Sequence, residues 1–159
     1  MVYAGHRYDL ALPSGVSVLA ALSTDGVHWT KHPSPILVPS SQLDASNPAA
    51  RFSWMGAGAA EPDLLAGPDG RFYLFFSGLD DTASTRHIGL AYAENPLGPY
   101  TILSDPILSR STNRYDSGAV IAPDVLLDGA IARLWYNAVG PNEESWTVGY
   151  AEHPWPLLQ

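Results

Sequence analysis

The feature that most constrains this chain is that it repeats itself. Glu61-Pro62-Asp63-Leu64-Leu65 returns sixty-one residues later as Ala122-Pro123-Asp124-Val125-Leu126, and Leu74-Phe75-Phe76-Ser77 returns as Leu134-Trp135-Tyr136-Asn137. The run Gly89-Leu90-Ala91-Tyr92-Ala93-Glu94 is echoed by Val148-Gly149-Tyr150-Ala151-Glu152. Upstream, Trp29 and Pro35-Ile36-Leu37 match Tyr100 and Pro106-Ile107-Leu108, both at a spacing of seventy-one. Fixed periods of this size mark architectures in which one supersecondary unit stacks on the next. The first period is ten residues longer than the second, which places an insertion at residues 42–55.

Residues 59–108 show what the unit is. An apolar stretch at 59–66 ends in the turn cluster Gly67-Pro68-Asp69-Gly70, and 71–77 follows as an aromatic run suited to a pleated, half-buried surface. A polar loop leads to a third strand at 87–93, and Asn95-Pro96-Leu97-Gly98 breaks the chain before a short fourth at 100–103. Four meandering strands in about forty residues are the signature of one propeller blade. By the same reading, strands two to four of a preceding blade lie at 1–4, 15–22 and 27–31, where Asp25-Gly26 supplies a tight turn. Strands one to three of a following blade lie at 119–127, 131–138 and 146–151. The expectation is an all-β fold of antiparallel four-stranded β-propeller blades, about 2.5 to 3 per chain, in a single domain. Its parts are a partial blade at 1–41, an inserted loop at 42–55, a blade at 56–108 and a partial blade at 109–159.

Composition narrows the function. Fourteen Gly, fourteen Pro and no sustained helical periodicity suit short strands and many turns. With no cysteine there are no disulfides and no thiolate metal ligands. The five histidines lack metal-ligand spacing, since His28 and His32 stand four apart in a strand that runs into Pro33. No metal and no cofactor are expected. A net charge of −8 argues against nucleic acid or an anionic membrane as partner and favours a neutral or cationic ligand. The chain shows no signal peptide and no run of eighteen apolar residues, so a cytoplasmic location is the default expectation.

In a propeller the first strand of each blade lines the central axis. Asp63 and Asp124 occupy equivalent places on two such strands, and Glu61, two residues before Asp63, points to the same side. Three acids around one funnel suit glycoside hydrolysis, which needs a protonated carboxyl and a second carboxylate. The alternative is positional: an Asp that recurs with the blade can serve simply to accept backbone N–H bonds. Asp116 leads into a first strand and is a candidate for the funnel mouth or a turn. In the inserted loop, Arg51 and Trp54 are candidate substrate contacts, Trp54 as a sugar-stacking platform or as an anchor packed back onto the sheet.

The segment ALSTDGVHWTKHPSPIL resembles the serine, aspartate-glycine, tryptophan and proline-isoleucine-leucine blade signature of the five-bladed propeller glycosidases. That broad group includes glycoside hydrolase families 32, 43, 62, 68 and 130. The resemblance extends through EPDLLAGPDGRFYLFFSG and APDVLLDGAIARLWYNAVG. It implies that Asp124, within Ala122-Pro123-Asp124-Val125, tunes the acid, as the matching aspartate does in family 43. It assigns the acid role to Glu61 only loosely, because the family 32 segment has one more residue between Glu and Pro. No residue inherits the role of the base. The function implied is either that of a glycosidase acting on arabinose-, xylose- or fructose-containing glycans, or that of a non-catalytic carbohydrate-binding or assembly protein of the same descent. The strand count, incomplete at both ends, predicts a homodimer, with a piece of a longer enzyme as the alternative.

Overall fold

The computed structural model describes residues 1–6, 15–43, 52–112 and 114–158. Ten strands among them carry the fold: β1 (Val2–His6), β2 (Val16–Leu22), β3 (Thr30–Lys31), β4 (Gly58–Ala66), β5 (Phe72–Leu79), β6 (Arg86–Ala93), β7 (Thr101–Ile102), β8 (Ala119–Asp128), β9 (Ile131–Val139) and β10 (Trp146–Pro154). They form three antiparallel meanders: β1-β2-β3, β4-β5-β6-β7 and β8-β9-β10. A parallel bridge between Val16 and Gly58 ties the first meander to the second. The all-β expectation holds, and the only helical pieces among the described residues are single 3-10 turns.

The repeat read from the sequence is a repeat of hydrogen bonds. Leu37 bridges to Val18, and Leu108 bridges to Ile88 in the same antiparallel sense. In both blades the two amides of the Ile-Leu pair donate to one carbonyl, that of Val18 or of Ile88. The proline-isoleucine-leucine triplet therefore clips the chain back onto the third strand after the short fourth. The Ser23–Gly26 turn before Trp29 is held by its own side chains. Ser23 Oγ accepts from the amides of Asp25 and Gly26, and Asp25 Oδ1 accepts from those of Val27 and His28. These bonds are all local to residues 23–28.

Two apolar layers hold the blades face to face. Between the first and second, Val18, Ala20, Leu37, Met55, Leu74 and Phe76 are buried together. Between the second and third, Tyr73, Phe75, Ile88, Leu90, Val120 and Leu134 do the same. Alternation along β5 explains both layers, since Leu74 and Phe76 face one neighbour while Tyr73 and Phe75 face the other. The strand is buried on both sides and correspondingly aromatic. Across the layers, β4 lies against β1 and β2, and β8 lies against β5 and β6. Each first strand thus seats on the previous blade, and β4 and β8 are neighbours.

Of the inserted loop, residues 44–51, including Arg51, lie outside the described residues. Trp54 is not on an open surface. It is 9% exposed, stacks on Phe76 at 5.7 Å, and donates its indole N–H to the Ser104 carbonyl at 2.9 Å. Its ring fits because Gly78 and Gly89 carry no Cβ there; a methyl group at either would collide with the indole. A buried indole with its N–H satisfied anchors the loop and leaves no ring face for a sugar.

Candidate functional site at the inner strands

Both first strands are broken at the same point. In β4, Glu61 and Pro62 stand opposite the single residue Phe76, and in β8, Ala122 and Pro123 stand opposite Tyr136. Glu61 and Ala122 adopt positive φ, 48° and 52°, unusual for residues with a side chain. Proline explains the pattern. It has no N–H to lose where the ladder is interrupted, and it disfavours the right-handed helical conformation in the residue before it. Such bulges re-aim side chains.

The re-aimed acids reach across to the next blade. Glu61 Oε2 accepts from Ser77 Oγ at 2.6 Å and from the Ala122 amide at 3.2 Å, and that amide also donates to Ser77 Oγ at 2.9 Å. Asp63 Oδ2 accepts from the Val125 amide at 2.8 Å, while Oδ1 accepts from the amide of Leu64 at 2.9 Å. Glu61, Asp63 and Ser77 thus stitch β4 to β8 through two backbone amides. Asp63 is fully engaged in this way. Glu61 is not: among the described residues nothing donates to its Oε1, and its side chain lines a cavity of about 360 Å³ with His6 and Arg86.

Asp124 sits where Asp63 sits, one blade on, but it is exposed and takes no hydrogen bond from the described residues. Its charge is felt by Asp63. Burial, assisted by Asp124, pushes the Asp63 carboxyl above the ordinary carboxylate value, against the lowering effect of the Val125 N–H bond. Asp116 takes another place. It is 5% exposed, accepts from the Tyr136 hydroxyl at 3.4 Å, and leaves Oδ1 buried without a partner.

The structure therefore brings Glu61, Asp63 and Asp124 together on adjacent strands and buries Trp54 and Asp116. Sequence reading missed Ser77, His6 and Arg86. Ser77 closes a repeated run, and its counterpart Asn137 is also polar, a faint signal. Arg86 has none, because Trp146 takes the equivalent place at the start of β10. Among the described residues no group of His, Asp and Glu could hold a metal ion. No helix of the described chain is long and apolar enough to cross a membrane.

No family model matches the sequence, and no curated protein sequence matches it either. Solved structures do. A glycoside hydrolase superposes with a TM-score of 0.68 at 17% identity, over 95% of this chain and 40% of its own. Zg3597, a family 117 glycoside hydrolase of the marine bacterium Zobellia galactanivorans, gives 0.65 at 20% identity, over 86% of this chain and 37% of its own. The family 32 β-fructofuranosidase of Bombyx mori gives 0.64 at 16%, over 96% of this chain and 31% of its own. The chain thus spans 31–40% of the length of these neighbours. At such identities the likeness is one of architecture: the chain has the fold of the propeller glycoside hydrolases, over less than half of their length.

Proposed function

We propose that this chain acts on a glycan at the end of the molecule where the inner strands β4 and β8 begin, as a propeller glycoside hydrolase does. The observation that carries the reading is the division of labour among three neighbouring carboxylates. Asp63 has both oxygens occupied by amides and serves to join the strands. Glu61 keeps one oxygen free toward a cavity, and Asp124 keeps both free. Glycoside hydrolysis needs two carboxyl groups that can exchange protons or charge with the sugar, one acid and one carboxylate. Glu61 fits the proton donor, because one oxygen is fixed by Ser77 Oγ and the Ala122 amide while the other is presented. Asp124 fits the carboxylate that tunes the acid, and the base or nucleophile that hydrolysis also needs is assigned to no residue of this chain. The glycan class implied by the sequence resemblance is arabinose-, xylose- or fructose-containing.

A second reading has its own support. The chain spans 31–40% of its structural neighbours, so the described residues form only part of the wall around such a site. A chain of this kind can bind a glycan without cleaving it, or serve in assembly. One experiment separates the readings: release of chromophore from aryl arabinosides and xylosides and of hexose from fructose-containing sugars, alongside calorimetric binding of the same glycans. Hydrolysis that drops by about 10²–10⁴-fold in Glu61→Gln and in Asp124→Asn supports the enzyme. Binding without release supports the module, and neither binding nor release overturns both glycan readings in favour of a role in assembly.

A further inference from the structure

The arginines of this acidic chain are not spread evenly. Among the described residues, those at the ends of the inner strands remote from Glu61 are already engaged. Arg71 lies over the Tyr92 ring at 5.7 Å, and Arg133 pairs with Asp128 at 2.9 Å. Arg86, Arg110 and Arg114 form no ion pair with any described residue, and all three gather where the inner strands begin. Arg86 opens β6 and lines the Glu61 cavity. Arg110 and Arg114 line a second cavity of about 540 Å³ beside the start of β8, together with Thr112, Ser117 and Asn142, and none of the described side chains that line it is a carboxylate.

Neither Asp80 nor Asp116 is paired with these guanidinium groups. Asp80 is wrapped by its own loop: against burial, hydrogen bonds from Thr85, Ser84 and Thr82 hold its carboxyl down at about 2. Asp116 is buried against Tyr136. Arg110 is fixed by donating to the Ser117 carbonyl at 3.2 Å, a bond that uses one of its five N–H groups. Burial and then the charge of Arg110 lower the His87 imidazole below its usual value, against the raising effect of Asp80. The guanidinium groups of Arg110 and Arg114, beside hydroxyls and an amide, are a receptor for oxyanions on a polyol.

Resting on the glycan reading above, we infer that the ligand is an anionic glycan, whose carboxylate or sulfate groups are held by Arg110 and Arg114, with Arg86 serving the sugar next to Glu61. This departs from the neutral or cationic ligand that the net charge of −8 suggests, because the local field of the arginines differs in sign from the charge summed over the chain.

Isothermal titration with three probes tests it: an oligogalacturonide, the same oligosaccharide fully methyl-esterified, and a sulfated galactan oligosaccharide. The acidic or the sulfated sugar is expected to bind at least about tenfold more tightly than the ester, the worth of one charge-assisted hydrogen bond. The preference should shrink as salt rises. Arg110→Gln and Arg114→Gln should each remove most of the preference for the anionic sugar over the ester, with the melting temperature unchanged. Which of the two anionic probes binds identifies the source of the charge. Equal affinity for acid and ester, or a preference that survives both substitutions, overturns the inference and leaves the glycan reading standing. Failure of all three probes overturns the inference, and the glycan reading then stands or falls on the neutral sugars named above.

Discussion

Asp63 carries influences that work in opposite directions, and the balance is measurable. Two amide N–H bonds favour its charged form, whereas burial and the charge of Asp124 favour the neutral one, and the net effect raises its pKa. Between the ordinary carboxylate value and the raised folded value, the folded chain holds more protons than the unfolded one. Stability from this residue therefore falls as pH rises through that window and is level above it. Asp63→Asn keeps an acceptor for one amide and cannot ionise. Urea midpoints from about pH 4 to about pH 7 should decline more steeply for the parent chain than for the variant. Parallel curves would show that Asp63 titrates normally and that the two aspartates do not sense each other. The positional role of Asp63 was legible in the sequence, because a residue that recurs with the blade invites a structural explanation. The divergence of Asp124 was not, since it depends on which strand follows each copy. Nor could net charge reveal three unpaired arginines at one end, because a sum over the chain carries no positions.

At the scale of the element, the strands were legible in the sequence but the bulge that makes them useful was not. The pattern Xaa-Pro-Asp in both copies marks the spot, yet strict alternation puts Glu61 and Asp63 on one side of an unbroken strand. They do share a neighbour, β8, but through a bulge that lets Glu61 also reach Ser77. The third strand shows the limit of matching by letters. Aligning tyrosines sets Tyr150 against Tyr92, whereas pairing sets Tyr150 opposite Trp135 as Leu90 is opposite Phe75. The two registers differ by two residues, so the faces survive and the partners change. Ser77 is the test of the element. It is fully buried, donates to Glu61, and accepts from the Ala122 amide, so Ser77→Ala removes the middle of the stitch. A loss of about 1–3 kcal/mol is expected from denaturant unfolding, together with faster amide exchange at Ala122. Unchanged exchange there would show that Glu61 alone satisfies the amide.

At the scale of the whole molecule, the repeat exposes an asymmetry between equivalent positions. Phe75, Ile88 and Leu90 are 3%, 0% and 2% exposed because the third blade covers them. The positions that pair in the same way one blade on are Trp135, Val148 and Tyr150, and of these Val148 is 67% and Tyr150 46% exposed. Identical places in the fold thus carry opposite burdens. Ile88→Ala should cost about 2–5 kcal/mol, since it empties a packed layer between blades. Val148→Ala should change the stability of the single chain by less than about 0.5 kcal/mol. A contiguous apolar face of this kind is one that proteins bury against a partner. If a second copy covers this face, Val148 becomes costly only in the assembled state. Light scattering after size exclusion, run on the parent chain and on Val148→Lys, decides the matter. A dimer that the lysine dissociates, with circular dichroism unchanged, assigns this face to a second copy. A parent chain that stays monomeric at every concentration overturns the homodimer, and equal losses for Ile88→Ala and Val148→Ala in that monomer would overturn the blade equivalence itself.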